Sequence, residues 1–174
     1  IKKYLLYLFD KLCTKYIYGG IMENIENNEQ NEIITEYLNA VYQNIKTAVQ
    51  SIEDILTKVK DNELKKELSN QEDKYLTLEK ECELLAKAKK IEGIKDNNWF
   101  EKARLWSSIN MSTMTDKTTR HIAELLLLGT FMGYLTCLKD QSDHANISPE
   151  IDEILQNLKE LEKDNLERLI PYLA

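Results

Sequence analysis

Between Glu32 and Val59 the apolar residues Ile34, Tyr37, Leu38, Val41, Ile45, Ala48, Val49, Ile52, Leu56 and Val59 recur in steps of three and four. That spacing marks one buried stripe on a helix. At ~1.5 Å per residue the helix is about 40 Å long. Only 5 Gly and 2 Pro occur in 174 residues, so turn formers are scarce. The scarcity argues against a sandwich, a barrel or a βαβ protein, and the length favours one domain.

Lys60-Asp61-Asn62 interrupts the first stripe, and Asp61 can cap a second helix by accepting from its first free N–H groups. So short a loop predicts an antiparallel neighbour. The second stretch, about 62–90, carries Leu64, Leu68, Gln71, Tyr75, Leu78, Cys82 and Leu85 in a 4-3-4-3 seam. Gln71 is the polar member of that seam and needs a partner, since an unsatisfied buried amide costs about 1–3 kcal/mol. Gly93 is placed to end the helix. The region from Asn98 to Asp140 is too long for one helix of this bundle. We expect a shorter accessory helix at about 98–112, with Trp99, Ala103, Trp106 and Ile109 on one face, and a core helix at about 115–140. The latter is apolar nearly all round, from Ile122 through Leu138, and should be surrounded by other helices. Gly129 and Gly133 give it a smooth patch for close helix packing. The last helix starts at Ser148-Pro149 and buries Ile151, Ile154, Leu155, Leu158, Leu161 and Leu169, with Asn165 in phase. No segment alternates like a strand.

The balance of 23 Lys+Arg against 30 Asp+Glu, a net charge of −7, counts against a nucleic-acid partner. Cys13, Cys82 and Cys137 are far apart, form no Cys-x-x-Cys pair, and fit a reduced cytoplasm better than a disulfide framework. No run of about 18 uncharged apolar residues occurs, so no membrane span is expected. The chain begins at Ile1, and Met22 follows Gly19-Gly20-Ile21. Two glycines can be encoded by a purine-rich stretch resembling a bacterial ribosome-binding site. Residues 1–21 therefore read as translated leader ahead of a natural start at Met22, or alternatively as a genuine amphipathic helix. Residues 23–31 are polar and read as a disordered or frayed lead-in, leaving 32–174 as a single helical-bundle domain.

Bundles place function on polar residues that intrude into the core. The candidate segment is Asp116-Lys-Thr-Thr-Arg-His-Ile-Ala-Glu124, where His121 and Glu124 share a helix face and four leucines follow. A carboxylate in an apolar neighbourhood must be paired, hydrogen-bonded, protonated or metal-bound. His121 and Glu124 are thus a structural pair bridged to Gln71 or Asn165, two ligands of a divalent metal ion, or surface residues at a partner interface. Asp116 is most simply a helix N-cap, and with Gln71 and Asn165 it completes the set of candidate buried polar residues. His144 reads as a solvated loop residue.

Residues 32–173 resemble small bacterial proteins of the ferritin-like superfamily for which no activity is established. The likeness rests on helix layout and on Asp-Lys-Thr-Thr-x-His-Ile-Ala-Glu at 116–124, followed by Gly129 and Met132-Gly133. The resemblance implies a ferritin-like four-helix bundle whose second and third core helices run parallel, joined by a long crossover. The superfamily's paired-iron site needs a glutamate from each of two helices and Glu-x-x-His from each of the other two. Here the only such spacing is reversed, His121-x-x-Glu124, and Glu36 and Glu53 sit off the first stripe. Ferroxidase or oxygenase chemistry is therefore not expected. The leading expectation is a non-catalytic cytoplasmic bundle with a structural or protein-interaction role, self-associating and without a cofactor. The alternative is a non-standard metalloprotein using His121 and Glu124.

Overall fold

The computed structural model describes residues 2–91, 94 and 116–174, with side chains from residue 29 onward. Its elements are α1 (Lys2–Leu56), α2 (Asn62–Ala88), α3 (Thr119–Asp143), α4 (Pro149–Leu169) and a closing 3-10 turn (Ile170–Leu173). No strand occurs among the described residues. The chain divides into two compact units, 1–35 and 36–174, and among the described residues the second is an all-α bundle of four helices. The accessory helix expected at 98–112, its aromatic face and Gly93 lie outside the described residues. Residues 23–31, expected as a polar lead-in, are helical within α1. Extending a helix that is already nucleated fixes one residue per hydrogen bond, so weak formers can be carried along.

Capping explains most of the boundaries. Asp61 Oδ1 accepts from Glu63 N at 2.9 Å and Leu64 N at 3.0 Å, starting α2 where the sequence predicts. The other end stops earlier than Gly93. Lys90 adopts φ 56°, Ile91 N donates to Ala86 O at 2.9 Å, and Lys90 N donates to Lys87 O at 3.2 Å. This is a Schellman motif with lysine at the left-handed position that glycine usually fills. At the head of α3 the cap is Thr118, whose hydroxyl accepts from His121 N at 3.3 Å. Asp116 acts one step earlier, its Oδ1 accepting from Thr118 N at 2.8 Å in an Asx-type turn, and it is exposed. It is therefore neither the N-cap nor a buried polar residue. Ser148 precedes Pro149 at the start of α4 as predicted, but its hydroxyl donates to Glu150 Oε2 rather than capping the backbone.

Paired side chains set the directions of the helices. Tyr42 and Lys46 on α1 reach Glu83 and Glu79 on α2, making that pair antiparallel. Asn44 bonds Cys137 while Tyr37, a turn or two earlier, stacks on His144, so α1 and α3 are antiparallel too. On α4, Arg168 lies by Glu67 and Glu150 by Lys89, which runs α4 against α2. It follows that α2 and α3 point the same way, and the order is up-down-down-up. The core between them holds Leu38, Ile45, Leu64, Leu68, Ile122 and Leu158, each fully or almost fully buried. Burying one such side chain contributes about 1.5–3 kcal/mol.

The helix α3 departs from expectation. Only its inner face, with Ile122, Ala123, Leu126, Cys137 and Asp140, is buried. Its outer face presents Leu128, Phe131, Met132, Leu135 and Leu138, between 40% and 53% exposed.

Candidate functional site

Midway along the bundle, each helix contributes a polar side chain to one buried layer. Glu162 of α4 is 1% exposed, and Tyr75 of α2, Asn165 of α4 and Cys137 of α3 are equally sequestered. Asn165 Nδ2 donates to Tyr75 Oη at 3.0 Å, and the Tyr75 hydroxyl also hydrogen-bonds the Glu162 carboxyl. From α1, Asn44 Nδ2 donates to Gly133 O at 3.1 Å and lies 3.3 Å from Cys137 Sγ. Space for the carboxyl comes from Gly133, where a Cβ would stand 2.5 Å from Glu162 Oε1. At Gly129 a Cβ would meet nothing within 4 Å among the described residues. The expected glycine packing patch thus reduces to one position, which receives a carboxyl group rather than a neighbouring backbone.

Low polarity governs the protonation of this layer. Burial pushes the Glu162 carboxyl up to about 8, only partly offset by the Tyr75 hydrogen bond. It is therefore a neutral acid at pH 7. Burial first, then the nearby Glu162 charge, raises the Tyr75 phenol well above its usual range. The same two causes push the Cys137 thiol up to about 12, so it is no nucleophile at neutral pH. Among the described residues, Glu162 Oε2 and Asn165 Oδ1 have no hydrogen-bond partner.

A second polar layer lies towards the end of the bundle. Tyr37 Oη donates to Asp152 Oδ1 at 2.7 Å, and its ring stacks on His144 with centroids 4.5 Å apart. His144 Nδ1 lies 3.1 Å from Asp140 O, so that nitrogen carries the proton. His144 thus closes α3 over a buried tyrosine, instead of standing free in a loop.

The residues singled out from the sequence fall in different places. Gln71 and Asn165 are buried as expected, but Gln71 Nε2 donates to Glu67 Oε1 at 3.0 Å on its own helix. Asn165 belongs to the Tyr75 layer, so neither amide bridges to His121. His121 and Glu124 stand 3.5 Å apart at the start of α3, with side chains 35% and 47% exposed. Glu124 Oε1 also accepts from Arg120 Nε at 3.1 Å. Of the four leucines that follow Glu124, Leu128 is exposed, Leu126 is buried, and Leu125 and Leu127 are intermediate.

A paired-iron centre draws its oxygen and nitrogen donors from all four helices. The buried layer here supplies one carboxyl with a phenol, a thiol and two amides, a set that does not fit two irons. Among the described residues no three His, Cys, Asp or Glu side chains gather around a common point.

Glu162 went unrecognised in the sequence because it sits in the charged run Lys159-Glu-Leu-Glu-Lys-Asp164. The signal was present: Ile151, Leu155, Leu158, Glu162, Asn165 and Leu169 follow 4-3-4-3-4, placing Glu162 on the buried seam. Comparison with known proteins adds no assignment, since no family model, curated protein or solved structure matches this chain.

Proposed function

We propose that this chain is a non-catalytic, cytoplasmic, ferritin-like bundle that works as a structural or interaction protein and associates with itself. The carrying observation is the row of five large apolar side chains on the outer face of α3. Monomeric proteins rarely leave so continuous an apolar strip in water, and such strips usually mark interaction surfaces. The ferritin-like part of the reading draws support from the parallel α2 and α3, which require a long crossover between them. The non-catalytic part draws support from the polar layer itself: a neutral carboxyl and an unionised thiol, closed off from solvent, offer no substrate an approach. Buried free thiols at Cys82 and Cys137 fit a reducing compartment.

Size-exclusion chromatography with light scattering, run over a range of concentrations, tests the self-association. A dimer or larger species is expected. A strict monomer at high concentration overturns it.

A further inference from the structure

The outer face of α3 is charged at both ends and uncharged between Glu124 and Lys139. At 100° per residue, Glu124, Leu128, Phe131, Met132, Leu135 and Lys139 fall within an arc of about 100°, with Arg120 and Asp143 at its margins. All eight are exposed. Their order along the helix has a symmetry. Taking the point midway between Phe131 and Met132 as centre, Leu128 mirrors Leu135, Glu124 mirrors Lys139, and Arg120 mirrors Asp143. Each mirrored charge pair has opposite signs. A second α3 laid antiparallel on the first would therefore set every charge against its opposite, with apolar residues meeting in between. A parallel arrangement would set Glu124 on Glu124 and Lys139 on Lys139. An isologous twofold contact needs this kind of self-complementarity, and a shallow crossing of about 20° keeps the helix ends within side-chain reach.

We propose that this face forms a twofold homodimer in which two α3 helices cross antiparallel at Phe131 and Met132, with Glu124 opposite Lys139 of the partner subunit and Arg120 opposite Asp143 of the partner subunit. The proposal rests on the self-association reading above and gives it a surface and a register. It also gives the His121–Glu124 corner a place, at the rim of the contact, where Glu124 can hold both Arg120 of its own helix and the lysine across the twofold. A bilayer is the competing occupant, because α3 is the one helix among the described residues long and apolar enough to cross a membrane. The mirrored charges favour a second copy, since a hydrocarbon phase has no use for alternating signs at matched positions.

The test uses the full chain and its charge-reversed variants Glu124→Lys and Lys139→Glu, with circular dichroism to verify helicity. Both sites are exposed, so the fold should survive either change. Each variant alone juxtaposes like charges twice across the twofold and should weaken dimerisation about tenfold at low salt. An equimolar mixture should form heterodimers preferentially, because every facing pair is then opposite in sign, and the double variant should recover wild-type affinity. In 1 M salt the differences should shrink. Phe131→Glu should abolish the dimer outright. If the wild type dimerises and neither charge reversal nor Phe131→Glu alters it, this face and register are wrong while self-association stands. If the wild type is monomeric at every concentration, both readings fail. Capture of the monomeric wild type by neutral phosphatidylcholine vesicles would assign the face to a bilayer and overturn the proposal.

Discussion

The carboxyl of Glu162 on α4 occupies the space in which a side chain on residue 133 of α3 would begin, 2.5 Å from the position of a Cβ. A glycine inside a helix costs roughly 0.5–1 kcal/mol relative to alanine. That cost is tolerated here because the antiparallel pair of α3 and α4 closes around a buried acid. The same relationship explains how two glycines four residues apart on one helix can differ in purpose.

Gly133→Ala should therefore destabilise the protein by about 1–3 kcal/mol, as expected for overpacking against a group that cannot retreat into solvent. Gly129→Ala should stabilise by up to about 1 kcal/mol, because its Cβ would meet open space. Denaturant titration of both variants checks the contrast. In an Glu162→Ala background the penalty at 133 should largely vanish, giving a coupling energy well above the additive expectation.

Glu162 also makes stability depend on pH. Its folded carboxyl titrates at about 8 against an ordinary value of 4.5, so the native state holds the proton more tightly than the unfolded chain. Stability from this group is complete below about pH 4.5, falls as pH rises towards 8, and is level above it. The span is worth at most about 5 kcal/mol. Glu162→Gln keeps the shape without the titration. It should match the wild type near pH 5, exceed it at pH 8.5, and flatten the pH profile of the melting temperature in between. A wild-type profile flat from pH 5 to 8 would contradict the buried neutral acid.

Much of the bundle was legible because core packing writes a period of three and four into each helix. Leu64, Leu68, Gln71, Tyr75, Leu78 and Cys82 are all buried in the order the seam predicts. Asp61 and Ser148-Pro149 marked helix starts through local chemistry that needs no tertiary context. What escaped depends on partners far away in sequence. Glu162 looks like a solvated charge until Gly133 and Tyr75 close around it. Conversely, the leucines after Glu124 leave open whether it is buried or on the surface, because hydropathy along the chain cannot say which side of an all-apolar helix is covered. The end of α2 lies within two residues of the predicted 90, but its left-handed cap is Lys90 rather than Gly93, because glycine is only the commonest residue at such a position.

Lys90→Gly follows from that cap. A lysine at φ 56° carries the Cβ strain of the left-handed region, which glycine lacks. The substitution should stabilise the protein by roughly 0.5–1 kcal/mol, with the Schellman hydrogen bonds retained. Lys90→Val should do the opposite, since a branched Cβ is least tolerated there. Thermal unfolding at one pH and concentration compares the three, and a more stable valine variant would mean that the left-handed turn is not held in solution.

The corner of α3 makes a prediction in the other direction. Glu124 is shared between Arg120 at 3.1 Å and His121 at 3.5 Å, with both partners half in water. Exposed pairs of this kind contribute at most about 1 kcal/mol, often nothing measurable. A divalent ion bound there would have to displace the guanidinium and recruit further donors from other helices. His121→Ala should therefore shift the melting temperature by no more than a degree or two, measured dilute so that association does not contribute. Excess EDTA should leave the wild-type melting curve where it was. A chelator-sensitive melt, lost in His121→Ala and accompanied by stoichiometric metal in elemental analysis, would show that the imidazole and the carboxylate serve an ion rather than each other.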